Sequence, residues 1–390
     1  MHRFICLLFT LIIMFTTLQP NQIQAEDKND SIAKNAQSAI LMEKNSGMTL
    51  YDKNADKELP PASMTKIMTL LLIMEELDKE NLKLDEKIRI SEHAASMGGS
   101  QIFLEAGEEM TVEDLLKGVA VASGNDASVA LAERIAGSEE EFVKQMNQKA
   151  KDLGLKNTKF QNPTGLPADD HYSTAHDMAV MARELLIHEE ITDYTSIYDD
   201  YLRKGEKNEF WLVNTNKLIK SYPGMDGLKT GFTEKAKYCL TASAKKDDLH
   251  MIAVVMGAEK PKERNEAITS LLDYGFGQYE GIKLHGKEEV LHEMTNPRGT
   301  PNTLALVPEK DVVVLKKKNE AKSNYQTSIT LNEKVELPIK KGDHMGWVTV
   351  NNGKEEVSKV RLEASEPVNK ANILELWKRS FRNLAGFEKF

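Results

Sequence analysis

Apolar positions along the first two thirds of the chain follow two different periods. The runs Ser38-Ala39-Ile40-Leu41-Met42 and Met48-Thr49-Leu50-Tyr51 are short and β-prone, and they flank the turn Lys44-Asn45-Ser46-Gly47, which predicts a strand pair. Helix-period stretches then cover 65–77, 111–122, 125–136, 140–153 and 174–188. Thr111 ahead of Val112-Glu113-Asp114 has the chemistry of an N-cap with acids in the first turn, and Ser173-Thr174 ahead of His176-Asp177 has the same. Strand character returns over 238–244 and 251–256, separated by Lys245-Lys246-Asp247-Asp248, and 261–274 reads as a closing helix. Strands joined by short turns run antiparallel, so the expected fold class is mixed helix and sheet (α+β, or α/β in the broad sense), an antiparallel sheet flanked by helices.

After about residue 280 the texture changes to short β-prone pieces at 311–315 and 327–331, and to a hairpin in which 347–350 and 357–362 flank Asn352-Gly353, a pair suited to a type I′ turn. Residues 26–284 therefore read as one mixed domain and 285–368 as a small β-sandwich. The last twenty residues form a third texture. At 100° per residue, Ile373, Leu374, Leu376, Trp377, Phe381, Leu384 and Phe387 share one half of the wheel, and Glu375, Lys378, Arg379, Arg382 and Lys389 the other. An amphipathic helix with a mainly basic polar face at a chain end predicts attachment to a membrane surface through 371–390, with docking on its own β domain as the alternative.

The first residues alter the compartment. Met1-His2-Arg3, an apolar run from Phe4 to Leu18 and a small residue at Ala25 have the layout of a secretory signal peptide over 1–25. Its removal leaves 365 residues and takes the formal charge from −9 to −10, a balance that argues against broad nucleic-acid binding. It also takes Cys6, so Cys239 is left without a disulfide partner, in an apolar run where a buried strand thiol is expected.

Candidate chemistry starts at Pro60-Pro61-Ala62-Ser63-Met64-Thr65-Lys66, heading the apolar run 67–74. Positions i and i+3 share a helix face, so the Lys66 amine can reach the Ser63 hydroxyl and act as its general base. The spacing is weak evidence alone, since about two chance matches are expected at this length. The others are Ser31 with Lys34, in a polar stretch, and Ser243 with Lys246, where strand alternation puts the two on opposite faces. Two further elements strengthen the first match. Ser123-Gly124-Asn125 lies between two expected helices, and its hydroxyl and amide can relay a proton and hold a substrate amide, although alone it is an ordinary cap. Lys229-Thr230-Gly231, expected to open a strand after Asp226-Gly227-Leu228, offers a charge and a hydroxyl for an anion, and Gly231 permits a substrate backbone to approach.

Ser-x-x-Lys, Ser-x-Asn and Lys-Thr-Gly, in this order on helix, loop and strand, resemble the penicilloyl-serine transferase pattern. With Leu59-Pro60-Pro61-Ala62, Asn162-Pro163-Thr164-Gly165-Leu166, Tyr172-Ser173-Thr174-Ala175, Phe232-Thr233, the later β region and the tail, the chain is similar to the low-molecular-weight penicillin-binding proteins, which are serine-type D-alanyl-D-alanine carboxypeptidases, and looks most like a Bacillus sporulation-associated member. The resemblance implies a catalytic domain of penicillin-binding transpeptidase-like, β-lactamase-like fold. It implies acylation of Ser63 by a peptidoglycan stem peptide ending in D-Ala-D-Ala, with Lys66 as base, Ser123 as proton relay, Asn125 on the substrate amide and Lys229 holding down the charge of Lys66. The N–H groups of Ser63 and Phe232 would form an oxyanion hole, and Thr230 and Arg264 would bind the terminal carboxylate. β-Lactam antibiotics would acylate the same serine; no cofactor or metal is implied, and no His-Glu-x-x-His occurs. Lys237 departs from the pattern, which expects glycine there. A β-lactamase, or a penicillin-sensing wall-binding protein with an idle site, are the alternatives.

Overall fold

The computed structural model describes residues 32–320, 324–332 and 335–384; the expected signal peptide, Ser31 and residues 385–390 of the tail lie outside them. Five antiparallel strands organise the first domain, in the order Thr49–Lys53, Ser38–Glu43, Leu249–Ala258, Lys237–Lys246, Met225–Thr233. Every residue of Ser38–Glu43 and Leu249–Ala258 is buried, so neither run could show polar alternation. Successive residues point to opposite faces. Ile40, Met42, Ile252, Val254 and Met256 enter the core shared with the helical layer. Ala39, Leu41, Met251, Ala253 and Val255 pack with Ile268, Leu271 and Leu272 of the Pro261–Gln278 helix on the other face.

The helical layer centres on Lys66–Asp78, whose first nine residues are all buried. A helix apolar on every side belongs inside a protein, and this one is surrounded by Val112–Ala120, Asn125–Ala136, Glu139–Asp152 and Ala175–Leu185. The expected caps form: Thr111 accepts a hydrogen bond from the Asp114 amide and Thr174 from the Asp177 amide, each contributing about 1 kcal/mol.

Three expectations need correction. The Lys-Thr-Gly segment lies in the middle of its strand, because pairing with Lys237–Lys246 already begins at Met225 and Ser243 Oγ holds the Asp226 carboxylate at 2.5 Å inside the sheet. The closing helix runs past residue 274 to Gln278, with Gly275 inside it at a point of close packing: a methyl there would sit 2.9 Å from Leu41 Cδ2. Lys66 begins the regular helix, but Ser63 precedes it in a separate 3-10 turn, Ala62–Thr65.

Lys237 sits where the family pattern has glycine because its φ is +58°, in the left-handed region. That conformation costs a non-glycine residue of order 1 kcal/mol. Lys237→Gly should therefore raise the stability of the protein by about 1 kcal/mol, read as a shift of the denaturant midpoint at unchanged m-value. A variant less stable than wild type would refute the strain.

The Pro261–Gln278 helix passes directly into strand Tyr279–His285, which pairs with Val312–Lys317, so β pairing begins ahead of residue 285. A five-stranded sheet follows, in the order His292–Thr295, Thr303–Pro308, Glu355–Ala364, His344–Asn352, Tyr325–Leu331, with Gly353 at φ +64° in the expected hairpin turn. Val312 and Val314 of the ribbon share one core with Leu304, Leu306, Val348, Val350 and Leu362 of the sheet. The terminal helix Ile373–Leu384 docks by its polar side: Arg379 Nη1 donates to Gly299 O at 2.6 Å, and Glu375 accepts from Thr300 Oγ1 at 2.8 Å. Ile373, Leu374, Trp377 and Phe381 face solvent at 65–80% exposure. Among the described residues no helix is long and apolar enough to cross a membrane.

Candidate active site

Ser63 is half-buried at the tip of the 3-10 turn, and Lys66 begins the buried helix behind it. The Lys66 amine lies 3.4 Å from Ser63 Oγ, 2.6 Å from Asn125 Oδ1 and 2.7 Å from the Thr164 carbonyl oxygen. The two short contacts are to acceptors only, so they take two N–H groups. A neutral amine has two, which leaves its lone pair toward Ser63 Oγ. The pKa of Lys66 is driven well below that of a free lysine, first by burial, then by repulsion from Lys229, with Asp126 opposing.

Asn125 opens its helix from a turn held by Gly124 N donating to Gly118 O and Asn125 N donating to Ser100 O. Its Nδ2 donates to Gly98 O at 2.7 Å. Beside it Ser123 has φ +64°, and its hydroxyl is buried without any hydrogen-bond partner. A left-handed serine with an orphaned hydroxyl is costly on both counts, the combination that marks functional turns. Asp126 fixes the facing loop, its carboxylate accepting from the amides of Ile102 and Leu104.

Lys229 is fully buried mid-strand, and among the described residues its side chain makes one hydrogen bond, a long one of 3.4 Å to Thr230 O. Burial, then repulsion from Arg264, brings its pKa down to about 7. Arg264 is itself buried in the first turns of Pro261–Gln278 and donates through Nε and Nη2 to Asn265 Oδ1. Thr230 Oγ1 donates to Thr215 Oγ1 at 2.8 Å. Phe232 is exposed, with its ring 4.4 Å from that of Tyr238. A methyl at Gly231 would meet Pro61 O at 2.7 Å and Met64 Cγ at 3.2 Å, so its bareness also lets the Ser63 turn press against the strand.

The structure thus joins Ser63, Lys66 and Asn125 by hydrogen bonds and brings Lys229 and Arg264 into the same field, while Ser123 makes no hydrogen bond to any of them. Three contributors escaped the sequence reading. The Thr164 carbonyl is backbone, positioned because Asn162 Oδ1 caps its own turn by accepting from the amides of Thr164 and Gly165; the Asn-Pro-Thr-Gly run was the available signal. Thr215 follows an unforeseen hairpin, Asp199–Leu202 with Phe210–Val213. His171 accepts from the Gln161 amide at Nδ1, so Nε2 bears the proton and donates to Thr65 Oγ1 at 2.8 Å; burial lowers its pKa to about 4 and keeps it neutral. Of the rival matches, Ser243 is buried on the sheet against Asp226, and Cys239 is buried with its thiol pushed up to about 11, unlike a nucleophile.

Residues 22–260 match the D-alanyl-D-alanine carboxypeptidase family, and residues 279–370 match the C-terminal domain of penicillin-binding protein 5. The chain is 50% identical to D-alanyl-D-alanine carboxypeptidase DacF of Bacillus subtilis over 98% of its own length and 99% of that protein. The crystal structure of penicillin-binding protein 5 from Haemophilus influenzae is similar at 31% identity with a TM-score of 0.66, covering 86% of this chain and 98% of that one. Penicillin-binding protein D2 from Listeria monocytogenes in the ampicillin-bound form gives 32% identity and a TM-score of 0.57, covering 62% and 98%. A half-buried serine beside a buried lysine, with a second lysine on the adjoining edge strand, agrees with these likenesses, and the chain belongs to the D-alanyl-D-alanine carboxypeptidase family of serine peptidases.

Proposed function

We propose that Ser63 is the acylated residue in removal of the terminal D-alanine from peptidoglycan stem peptides. The observation that carries this reading is the Lys66 amine, held by two acceptors with its remaining valence toward Ser63 Oγ. Lys66 takes the Ser63 proton as Oγ bonds to the carbonyl carbon of the penultimate D-alanine. The oxyanion is received by the N–H groups of Ser63 and Phe232. Collapse breaks the C–N bond; the Ser123 hydroxyl passes its proton to the departing amine and is reprotonated from Lys66. Asn125 holds the substrate amide, and Thr230, Lys229 and Arg264 receive the terminal carboxylate. Water then cleaves the ester and frees Ser63.

Intact mass after brief exposure to benzylpenicillin tests the assignment. A persistent adduct, absent from Ser63→Ala, together with D-alanine release from a pentapeptide, is the expected result. Rapid loss of the adduct with free penicilloate indicates a β-lactamase, and an adduct without D-alanine release a sensor.

We further propose export through residues 1–25 and attachment to the membrane surface through 371–390, supported by the exposed side of Ile373, Leu374, Trp377 and Phe381. Deleting 371–390 should abolish binding to anionic liposomes, and undiminished binding would refute the attachment.

A further inference from the structure

A cavity of about 360 Å³ lies where the catalytic domain meets the β domain, and none of the proposed site residues lines it. The catalytic domain contributes Lys44, directly after strand Ser38–Glu43, together with Lys245 and His250; the β domain contributes Lys283, Lys287 and Lys310. Two of these groups are already matched: Lys283 Nζ lies 2.6 Å from Asp311 Oδ2, and His250 Nε2 lies 3.0 Å from Asp226 Oδ2. The side chains of Lys44, Lys245 and Lys287 make no hydrogen bond or ion pair with any described residue. Lys310 has one long contact, from Nζ to Asn45 O at 3.4 Å. Lys44 is only 8% exposed and Lys310 is half-buried, whereas the unmatched acids of the lining, Glu189, Asp247 and Asp248, are exposed. The cavity is therefore cationic in its depth and acidic at its mouth.

A buried ammonium without a partner is costly and rare. Burial lowers the pKa of Lys44, with Glu189 opposing, and burial, then Arg183 and Lys44, lower that of Lys310. Lysines act as point charges without the fixed fork of arginine, so one anion with several acceptor oxygens can satisfy several of them at once. The space amounts to roughly ten times the ~30 Å³ that a water molecule occupies, enough for a tetrahedral oxyanion with a small substituent.

We infer that this cavity binds a phosphoryl anion, with Lys44 and Lys310 as its buried partners and Lys245 and Lys287 as outer contacts, one from each domain. An anion held in this way ties the two domains together.

Calorimetric titration of the full chain with sodium phosphate, at pH 7 and an ionic strength fixed with sodium chloride, tests the site. Wild type should bind one phosphate per chain. Lys44→Met and Lys310→Met should each bind at least tenfold more weakly, about the loss expected for one hydrogen bond to a charged group. Glu189→Gln should bind more tightly, because it withdraws negative charge from the mouth. Melting separates lost binding from a damaged fold: in chloride alone Lys44→Met should melt no lower than wild type, since it removes an unmatched buried charge. Added phosphate should then raise the melting temperature of wild type and not that of Lys44→Met. Glycerol 3-phosphate distinguishes the sources of the group. Tighter binding than phosphate assigns the cavity to an esterified phosphate, and equal or weaker binding to the free ion; either supports the site. No binding by wild type, or wild-type affinity in either lysine variant, the mark of an adventitious ion only, would overturn the inference. So would a Lys44→Met that melts below wild type in chloride, because Lys44 would then already have its partner within the protein.

Discussion

Lys66→Arg should acylate with benzylpenicillin about a thousandfold more slowly than wild type although it offers N–H donors to the same two acceptors. A guanidinium does not deprotonate in a protein, so it cannot receive the Ser63 proton, and the loss of a positioned general base is of this order. A permanently charged side chain with a lost rate separates a base from an electrostatic anchor. Lys66 is among the largest fully buried side chains of the protein, so the longer arginine also strains its surroundings. Lys66→Met provides the control that fits the volume: it should fold and lose the same rate. Rapid-mix mass measurement of the adduct checks both, and a rate within tenfold of wild type in either would remove Lys66 from the base role.

Lys229→Gln should slow acylation by an amount that grows as pH falls. Below about pH 7 Lys229 is protonated, and its charge opposes protonation of Lys66 and lowers the pKa of that base. Without that charge Lys66 holds its proton more firmly, and the acid limb of the acylation profile moves to higher pH. Above about pH 8 wild-type Lys229 is mostly neutral, and the two profiles should converge apart from the lost contact with the substrate carboxylate. Stability reports the same group independently. A lysine lowered from 10.5 to about 7 on folding binds fewer protons in the native state than in the unfolded chain between those values. Unfolding free energy therefore rises with pH from about 7 to about 10.5, and the burial penalty is fully felt below 7. Lys229→Gln should flatten this slope and melt higher than wild type at pH 6. Superimposable acid limbs together with an unchanged stability slope would show that Lys229 does not act through its charge.

The strands and helices were readable where their signal was local. Ser38–Glu43 and Leu249–Ala258 announce themselves by β-prone runs between turns, and Thr111 and Thr174 by cap chemistry. The packing roles of Gly275 and Gly231 were hidden for one reason: each is bare where another part of the chain presses on it, Leu41 in one case and Pro61 in the other, and such a partner leaves no mark near the glycine. The Ser63 and Lys66 pair was visible as spacing, but its protonation state depends on burial and on Lys229, more than 150 positions away. The Thr164 carbonyl and the Thr215 hydroxyl became contributors only through the loops that deliver them, and a carbonyl has no side-chain signature at all.

The strand order also constrains when this enzyme can exist. The central pairing of the sheet joins Ala39 to Val255, more than 200 positions apart, and the strand that bears Lys229 is reached only through Lys237–Lys246 beside it. Loop closure over such a span is slow to search even though its entropy grows only logarithmically with length. A chain halted between Thr233 and Leu249 has every proposed site residue except Arg264 already in its sequence, yet lacks the central strand that brings them together. Acylation competence should therefore appear abruptly with the last strand of the sheet, not in proportion to the length made.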